Sequence, residues 1–194
     1  MIAIIDYDAG NVKSVQNALK KLGFEAVITS DIETIKNAEK VIFPGVGEAS
    51  SAMKKLQERG LDVVIPDLKQ PVLGICLGMQ LMCNASEEGK TKALGIFDCE
   101  VKLFPNSDIV PHMGWNNVSE RKGKLLENIS ETDNFYFVHS YYAEIGESTT
   151  SVCDYITPFS ATLEKDNFYA AQFHPEKSGD AGFKLLENFL NLRF

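Results

Sequence analysis

Apolar positions in the first half of the chain fall into two patterns. Short runs without alternation, "IAII", "EAVI", "KVIFPG" and "PVLGIC", are interleaved with segments such as "NVKSVQNALKKL", where Val12, Val15, Leu19 and Leu22 recur at helical spacing. "EASSAMKKLQERG" continues the series as a helix closed by Gly60. Unbroken apolar strands suit a parallel sheet covered on both faces, and their alternation with helices is the βαβ rhythm of such a sheet. Pro71 bounds the last of these runs and Cys76 ends it, which puts a cysteine at the carboxyl end of a central strand.

From about residue 95 the pattern changes. "CEVKLF", "FYFVHSYYAEI", "TSVCDYI" and "NFYAAQF" are shorter and alternate, with turn residues between them, and predict antiparallel or mixed strands. "GDAGFKLLENFLNL" closes the chain as a helix with Phe183, Leu186, Phe189 and Leu190 on one face. No repeat, linker or low-complexity stretch interrupts the series. The expected architecture is α/β, a mostly parallel, doubly wound central sheet flanked by helices with an antiparallel extension, in a single domain spanning 1–194.

Composition narrows the class of function. The 194 residues carry 19 Lys and Arg against 27 Asp and Glu, a net charge of −8 without a basic block, which leaves no electrostatic footprint for nucleic acid. The amino-terminal "MIAIIDYD" has no basic leader and no stretch is apolar enough to span a membrane, so a cytoplasmic protein is expected. Cys76, Cys83, Cys99 and Cys153 have no Cys-x-x-Cys spacing and are expected as reduced thiols. Three histidines without a ligand pair at metal spacing argue for no metal site.

The chemistry concentrates at Cys76, in Gly-Ile-Cys-Leu-Gly. A strand that turns sharply into a helix leaves little room beside its central residue, and glycines on both sides permit the bend. The sulfur is then exposed at a helix N-terminus, where the dipole favours thiolate and the N–H of Leu77 faces the place an oxyanion would form. Taken alone, the pentapeptide equally suits a tight turn holding a buried thiol. A nucleophile needs a base and the base needs an orienting group, and "AAQFHPEKS" supplies both in His174 and Glu176. If the strand "YAAQF" continues, residues two apart share a face. His112 lies in the loop-like "VPHMGWNN", and His139 has no acid at such a spacing. "FPGVG" after another apolar strand places Val46 as a second backbone donor.

These pieces resemble the triad-type class I glutamine amidotransferases. "IDYDAGN", "FPGVG", "GICLGMQ", "ASEEG", "HMGWN", "YFVHSYY" and "FHPEKS" follow the order and approximate spacing of one branch, the glutaminase subunits of imidazole glycerol phosphate synthase. The resemblance implies a flavodoxin-like amidotransferase fold, with Cys76 attacking the amide of L-glutamine, His174 moving the proton and Glu176 orienting His174. It implies an oxyanion hole from Val46 and Leu77, and glutamine binding by Gly45, Gln80, Glu88, His139, Ser140 and Tyr141. It also implies a (β/α)8-barrel cyclase partner that receives the ammonia, met by Asn11, Trp115, Tyr136 and Lys177, and no cofactor.

Two stretches depart from that branch. Asp8 stands where its pattern has glycine, and Cys83 and Asn84 stand where an aromatic and an acidic residue are usual; both are expected on the helix after Cys76 and to alter packing only. Three other readings share these residues: a paralogous glutaminase for another pathway, a cysteine peptidase or γ-glutamyl hydrolase, and a non-catalytic binding module.

Overall fold

The computed structural model describes residues 1–193. Strands β1 (Ile2–Ile5), β2 (Ala26–Thr29), β3 (Lys40–Gly45) and β4 (Val72–Cys76) alternate with helices α1 (Val12–Lys21), α2 (Ile32–Lys36), α3 (Ala49–Glu58) and α4 (Leu61–Val64). Helix α5 (Leu77–Leu81) follows β4 directly, and short strands β5 (Ala85–Ser86) and β6 (Thr91–Lys92) lead to β7 (Glu100–Leu103). Then come β8 (His112–Asn116), β9 (Phe135–His139), β10 (Tyr141–Ala143), β11 (Thr149–Tyr155), β12 (Thr157–Lys165), β13 (Phe168–Ala171) and α6 (Gly179–Leu190). No described helix is long and apolar enough to cross a membrane.

A seven-stranded sheet in the order β11-β12-β13-β4-β3-β1-β2 forms the frame. The strands from β13 to β2 are parallel, and β11 and β12 add antiparallel pairs at one edge. Every residue of β1, β4 and β13 is buried, which is why these strands lack alternation. On one face Ile4, Ile42, Leu73 and Ile75 pack with Val15 and Leu19 of α1 and with Leu186 and Phe189 of α6. On the other, Ala3, Ile5 and Phe43 pack with Met53 and Leu56 of α3 and with Leu61 and Val64 of α4. A second sheet, β10-β7-β5-β6, and the hairpin β8-β9 lie outside this frame. The mostly parallel sheet with its antiparallel extension is as expected.

Three elements differ from the sequence expectation. "HMGWN" is strand β8, paired with β9 so that His112 faces His139 and Trp115 faces Tyr136, and not a loop; its glycine and asparagine hide a two-stranded ribbon. "TPFSATLEK" is the nine-residue β12, which the alternation did not signal. Its inward Ser160 and Thr162 look like turn residues, but both are fully buried and bonded to hydroxyls of β11, Ser160 to Thr149 at 2.8 Å and Thr162 to Ser151 at 2.6 Å. Helix α5 ends at Leu81, so Cys83 lies beyond it, with its sulfur 3.4 Å from that of Cys99. Asn84 follows, bonded to Asp98 at 2.7 Å.

Asp8, where the resembled pattern has glycine, adopts a backbone conformation that glycine takes readily. Its φ is 60°, in the left-handed region that aspartate tolerates better than most residues. Helix α3 secures it, through Lys55 bonded to its carbonyl at 2.7 Å and Arg59 paired with its carboxylate.

The closest packing is at the end of β4. A Cβ on Gly78 would lie 1.9 Å from the Phe43 carbonyl oxygen, and one on Gly74 would lie 3.0 Å from the Met79 nitrogen. Gly78→Ala is therefore expected to cost about 1–3 kcal/mol in urea unfolding, as overpacking against backbone does. Gly10→Ala, whose Cβ would meet nothing nearer than 3.4 Å, is expected to cost measurably less.

Candidate active site

Between β4 and α5 the chain turns within one residue. Cys76 has φ 53° and ψ −111°, a strained conformation for a non-glycine residue, held because Gly74 and Gly78 let β3, β4 and α5 come together. The turn aims the sulfur into a cavity of about 330 Å³, within the range of small-molecule sites. Leu77 is the first residue of α5, so its N–H has no acceptor inside the helix, and the residue lines the same cavity.

His174 reaches the cavity from the segment after β13. Phe173 anchors that segment by stacking on Phe135 with centroids 4.1 Å apart. The backbone is fixed at both ends of His174, whose N–H donates to the Tyr136 carbonyl at 3.0 Å while the Ser178 hydroxyl donates to its carbonyl at 2.7 Å. The strand does not continue to Glu176 as the spacing suggested: β13 ends at Ala171, and Pro175 starts a 3-10 turn over Pro175–Lys177. The turn folds Glu176 back, and its Oε1 lies 2.8 Å from His174 Nδ1 with both side chains almost wholly buried. The pairing survives because Pro175 fixes the backbone at the start of that turn.

This pair sets the charge. Burial opposes an imidazolium at His174, but hydrogen bonds to Cys76 and Glu176, reinforced by the charges of both, outweigh it and push the pKa up to about 10. Near neutral pH the ring is therefore a proton donor held against the sulfur. Two other groups at the site went unnoticed in the sequence. The Tyr7 hydroxyl is buried without a partner at the end of β1, and burial and Cys76 together keep it protonated. Gln172, fully buried, has Nε2 3.8 Å from the Cys76 sulfur.

Most of the residues singled out in the sequence meet at this cavity. Val46, Leu77, Gln80, Glu88, His139, Ser140, Tyr141 and Lys177 line it together with Cys76 and His174. The wall nearest β3 is built by Val46 and Gly47; Gly45 sits one residue back, where a Cβ would strike the Tyr7 hydroxyl and the Gly78 nitrogen, and does not line the cavity. Glu88 is half-buried, and its Oε2 accepts from the Ala49 N–H at 2.8 Å, capping α3 as well as facing the cavity. Burial raises its pKa.

His139 lines the cavity with no free ring nitrogen. Its Nδ1 lies 2.7 Å from the Tyr141 carbonyl, which can only accept, so Nδ1 carries the hydrogen. Its Nε2 then accepts from His112 Nδ1 at 3.1 Å. The two rings support the wall and leave no polar atom for a ligand. Burial lowers both, His112 to about 4 and His139 to about 3. Of the residues assigned to a partner, Trp115 is 58% exposed on β8 with its ring 5.8 Å from that of Tyr136 on β9. Asn11 is the residue that precedes α1.

A strained cysteine, a buried His-Glu pair and a polar cavity are what nucleophilic attack on a small amide requires. The family model described as "Glutamine amidotransferase class-I" matches residues 3–192. The chain belongs to the class I glutamine amidotransferase family. Its curated relatives include the "Imidazole glycerol phosphate synthase subunit HisH" of Bacteroides fragilis strain YCH46, 58% identical over 98% of this chain and 99% of that one. The protein of the same name from Vibrio parahaemolyticus is 46% identical over 98% of both chains. Among solved structures, a "glutamine amidotransferase" superposes with TM-score 0.75 at 19% identity over 98% of this chain and 97% of that chain, which bears on the fold alone.

The three histidines should titrate apart. By NMR of the ring nitrogens, His174 is expected to stay cationic up to about pH 9, while His112 and His139 stay neutral down to about pH 5. Acidification from the unfolded value near 6.5 towards about 4 and 3 should lower stability, because the unfolded chain takes up two protons that the folded chain excludes. The contribution of His174 has the opposite sign: it is present below 6.5 and lost as pH rises through about 10.

Proposed function

We propose that the chain is the glutaminase subunit of an imidazole glycerol phosphate synthase, acting in the cytoplasm in histidine biosynthesis as one amidotransferase domain. The observation that carries this reading is the His174–Glu176 pair, 2.8 Å apart and closed from solvent, set against a cysteine on a strained turn. The 58% identity to the HisH relative supports the branch.

In this reaction the Cys76 sulfur attacks the side-chain carbonyl carbon of L-glutamine. Charge develops on the carbonyl oxygen and is met by the N–H groups of Leu77 and Val46. His174 gives its proton to the departing nitrogen, ammonia leaves, and a γ-glutamyl thioester remains on Cys76. His174, now neutral, takes a proton from water as it attacks the thioester, and collapse frees glutamate and the sulfur. Glu176 holds the ring in one orientation throughout. Glu88 suits the α-ammonium of the substrate, and Gln80, Ser140 and Tyr141 complete the polar wall.

Ammonia in open water is protonated and diluted, so a closed route to an acceptor is chemically required. The reading assigns the acceptor to a (β/α)8-barrel cyclase docked over Trp115, Tyr136, Lys177 and Asn11, with the loop at Val46 coupling docking to chemistry. Exposed Met113 and Trp115 on β8, 63% and 58% accessible, support an apolar contact there.

Glutamate release from L-glutamine should be low for the chain alone and rise strongly with the barrel cyclase and its nucleotide ligand. Cys76→Ala should reduce it to background with folding and association unchanged, and Glu176→Gln should lower it about 10²–10⁴-fold. Background release in every state, with cleavage of a γ-glutamyl peptide instead, would overturn the reading.

A further inference from the structure

Gln172 is wholly buried between β13 and His174, and every hydrogen bond of its side chain is made inside the protein. Its Oε1 accepts from Gln80 Nε2 at 3.0 Å, and its Nε2 lies 3.8 Å from the Cys76 sulfur. An amide can be turned over, so the sense of these bonds needs an anchor. The Tyr141 carbonyl provides it. A backbone carbonyl only accepts, so the Gln80 group 2.8 Å from it is the NH₂. The second hydrogen of that NH₂ requires an oxygen opposite, which turns Gln172 Oε1 towards Gln80 and its NH₂ towards the sulfur.

We propose that Gln172 is a further catalytic residue, donating a hydrogen bond to the Cys76 sulfur in a direction fixed by Gln80 and the Tyr141 carbonyl. The proposal rests on Cys76 being the nucleophile. Two opposed contacts bear on the sulfur. The Val138 carbonyl at 4.0 Å suits the thiol, whose hydrogen it can accept, whereas the Gln172 N–H suits the thiolate. His174 gives and takes a proton during turnover; a primary amide does neither, so Gln172 remains a donor through both halves of the reaction. The other ionisable groups around the sulfur are Tyr7 from β1, His139 from β9, and Glu88 and Lys177 along the cavity wall. Tyr7 is buried without a partner and kept protonated by burial, both ring nitrogens of His139 are committed to His112 and the Tyr141 carbonyl, and Glu88 and Lys177 line the cavity, while the Gln172 amide bonds only Gln80 and Cys76.

The test reads the sulfur without substrate. Alkylation of Cys76 by iodoacetamide is followed against pH, with Cys76→Ser subtracting the other three cysteines. Gln172→Met, of similar volume and without a donor, is expected to move the alkylation profile about one unit to higher pH and to slow alkylation at neutral pH about tenfold. Gln172→Glu, which sets an acceptor against the sulfur, should move it further. An unchanged profile in either variant, with a wild-type circular dichroism spectrum, would overturn the proposal. If neither variant folds, the wild-type protein decides: the side-chain amide NMR signals of Gln172 should shift with the same midpoint as alkylation, and signals that do not move with pH would overturn it. Because alkylation requires no glutamine turnover, a failed glutaminase reading and a failed role for Gln172 give different results.

Discussion

The site depends on one steric constraint, the approach of α5 to the end of β3. With a Cβ at position 78 only 1.9 Å from the Phe43 carbonyl oxygen, nothing but hydrogen fits there. That approach forces the chain to turn within one residue, leaves Cys76 at φ 53°, and places Cys76 and Leu77, the first residue of α5, on the same cavity. The buried strands on either side resist relaxation of the turn, because moving it would open the core between β3, β4 and α3. Strain at Cys76 is thus maintained by packing far larger than itself.

Electrostatics then divides three histidines that share a small volume. His174 has a carboxylate on one side and a sulfur on the other and is held cationic against burial. His112 and His139 have carbonyl and aromatic neighbours, and burial keeps them neutral. The neutral pair is locked, each ring committed to a partner, and it supports the wall that carries Ser140 and Tyr141. The cationic ring is the one free to move a proton. The partner each ring meets, on the β8-β9 hairpin or in the segment after β13, thereby separates the neutral imidazoles from the cationic one.

Much of this was legible in the sequence, and the omissions have physical causes. Cys76 was found because the glycines flanking it mark a bend, and the unbroken apolar strands were found because both sheet faces are covered. Glu176 was paired with His174 for a geometry the chain does not adopt: a 3-10 turn, started by Pro175, brings the carboxylate to the ring where a strand was expected. Strand β12 was hidden because its core carries Ser160 and Thr162, whose hydroxyls are satisfied by hydroxyls of β11 and, for Ser160, by the Glu144 carbonyl, partners that sequence spacing does not reveal. Gln172 went unnoticed as one polar residue in an apolar strand end, since its meaning lies in Gln80, ninety-two positions away. Local pattern reports elements and bends, whereas the polar contacts that finish the site are long-range.

The central claim is that Cys76 carries the acyl group during turnover. Its most direct test is acid quenching of the chain during glutamine hydrolysis with the barrel cyclase present, followed by peptide mass analysis. A γ-glutamyl group on the peptide containing Cys76, absent from the Cys76→Ser protein, is the expected result. Turnover without that adduct, or an adduct on Cys83, Cys99 or Cys153 instead, would contradict the account.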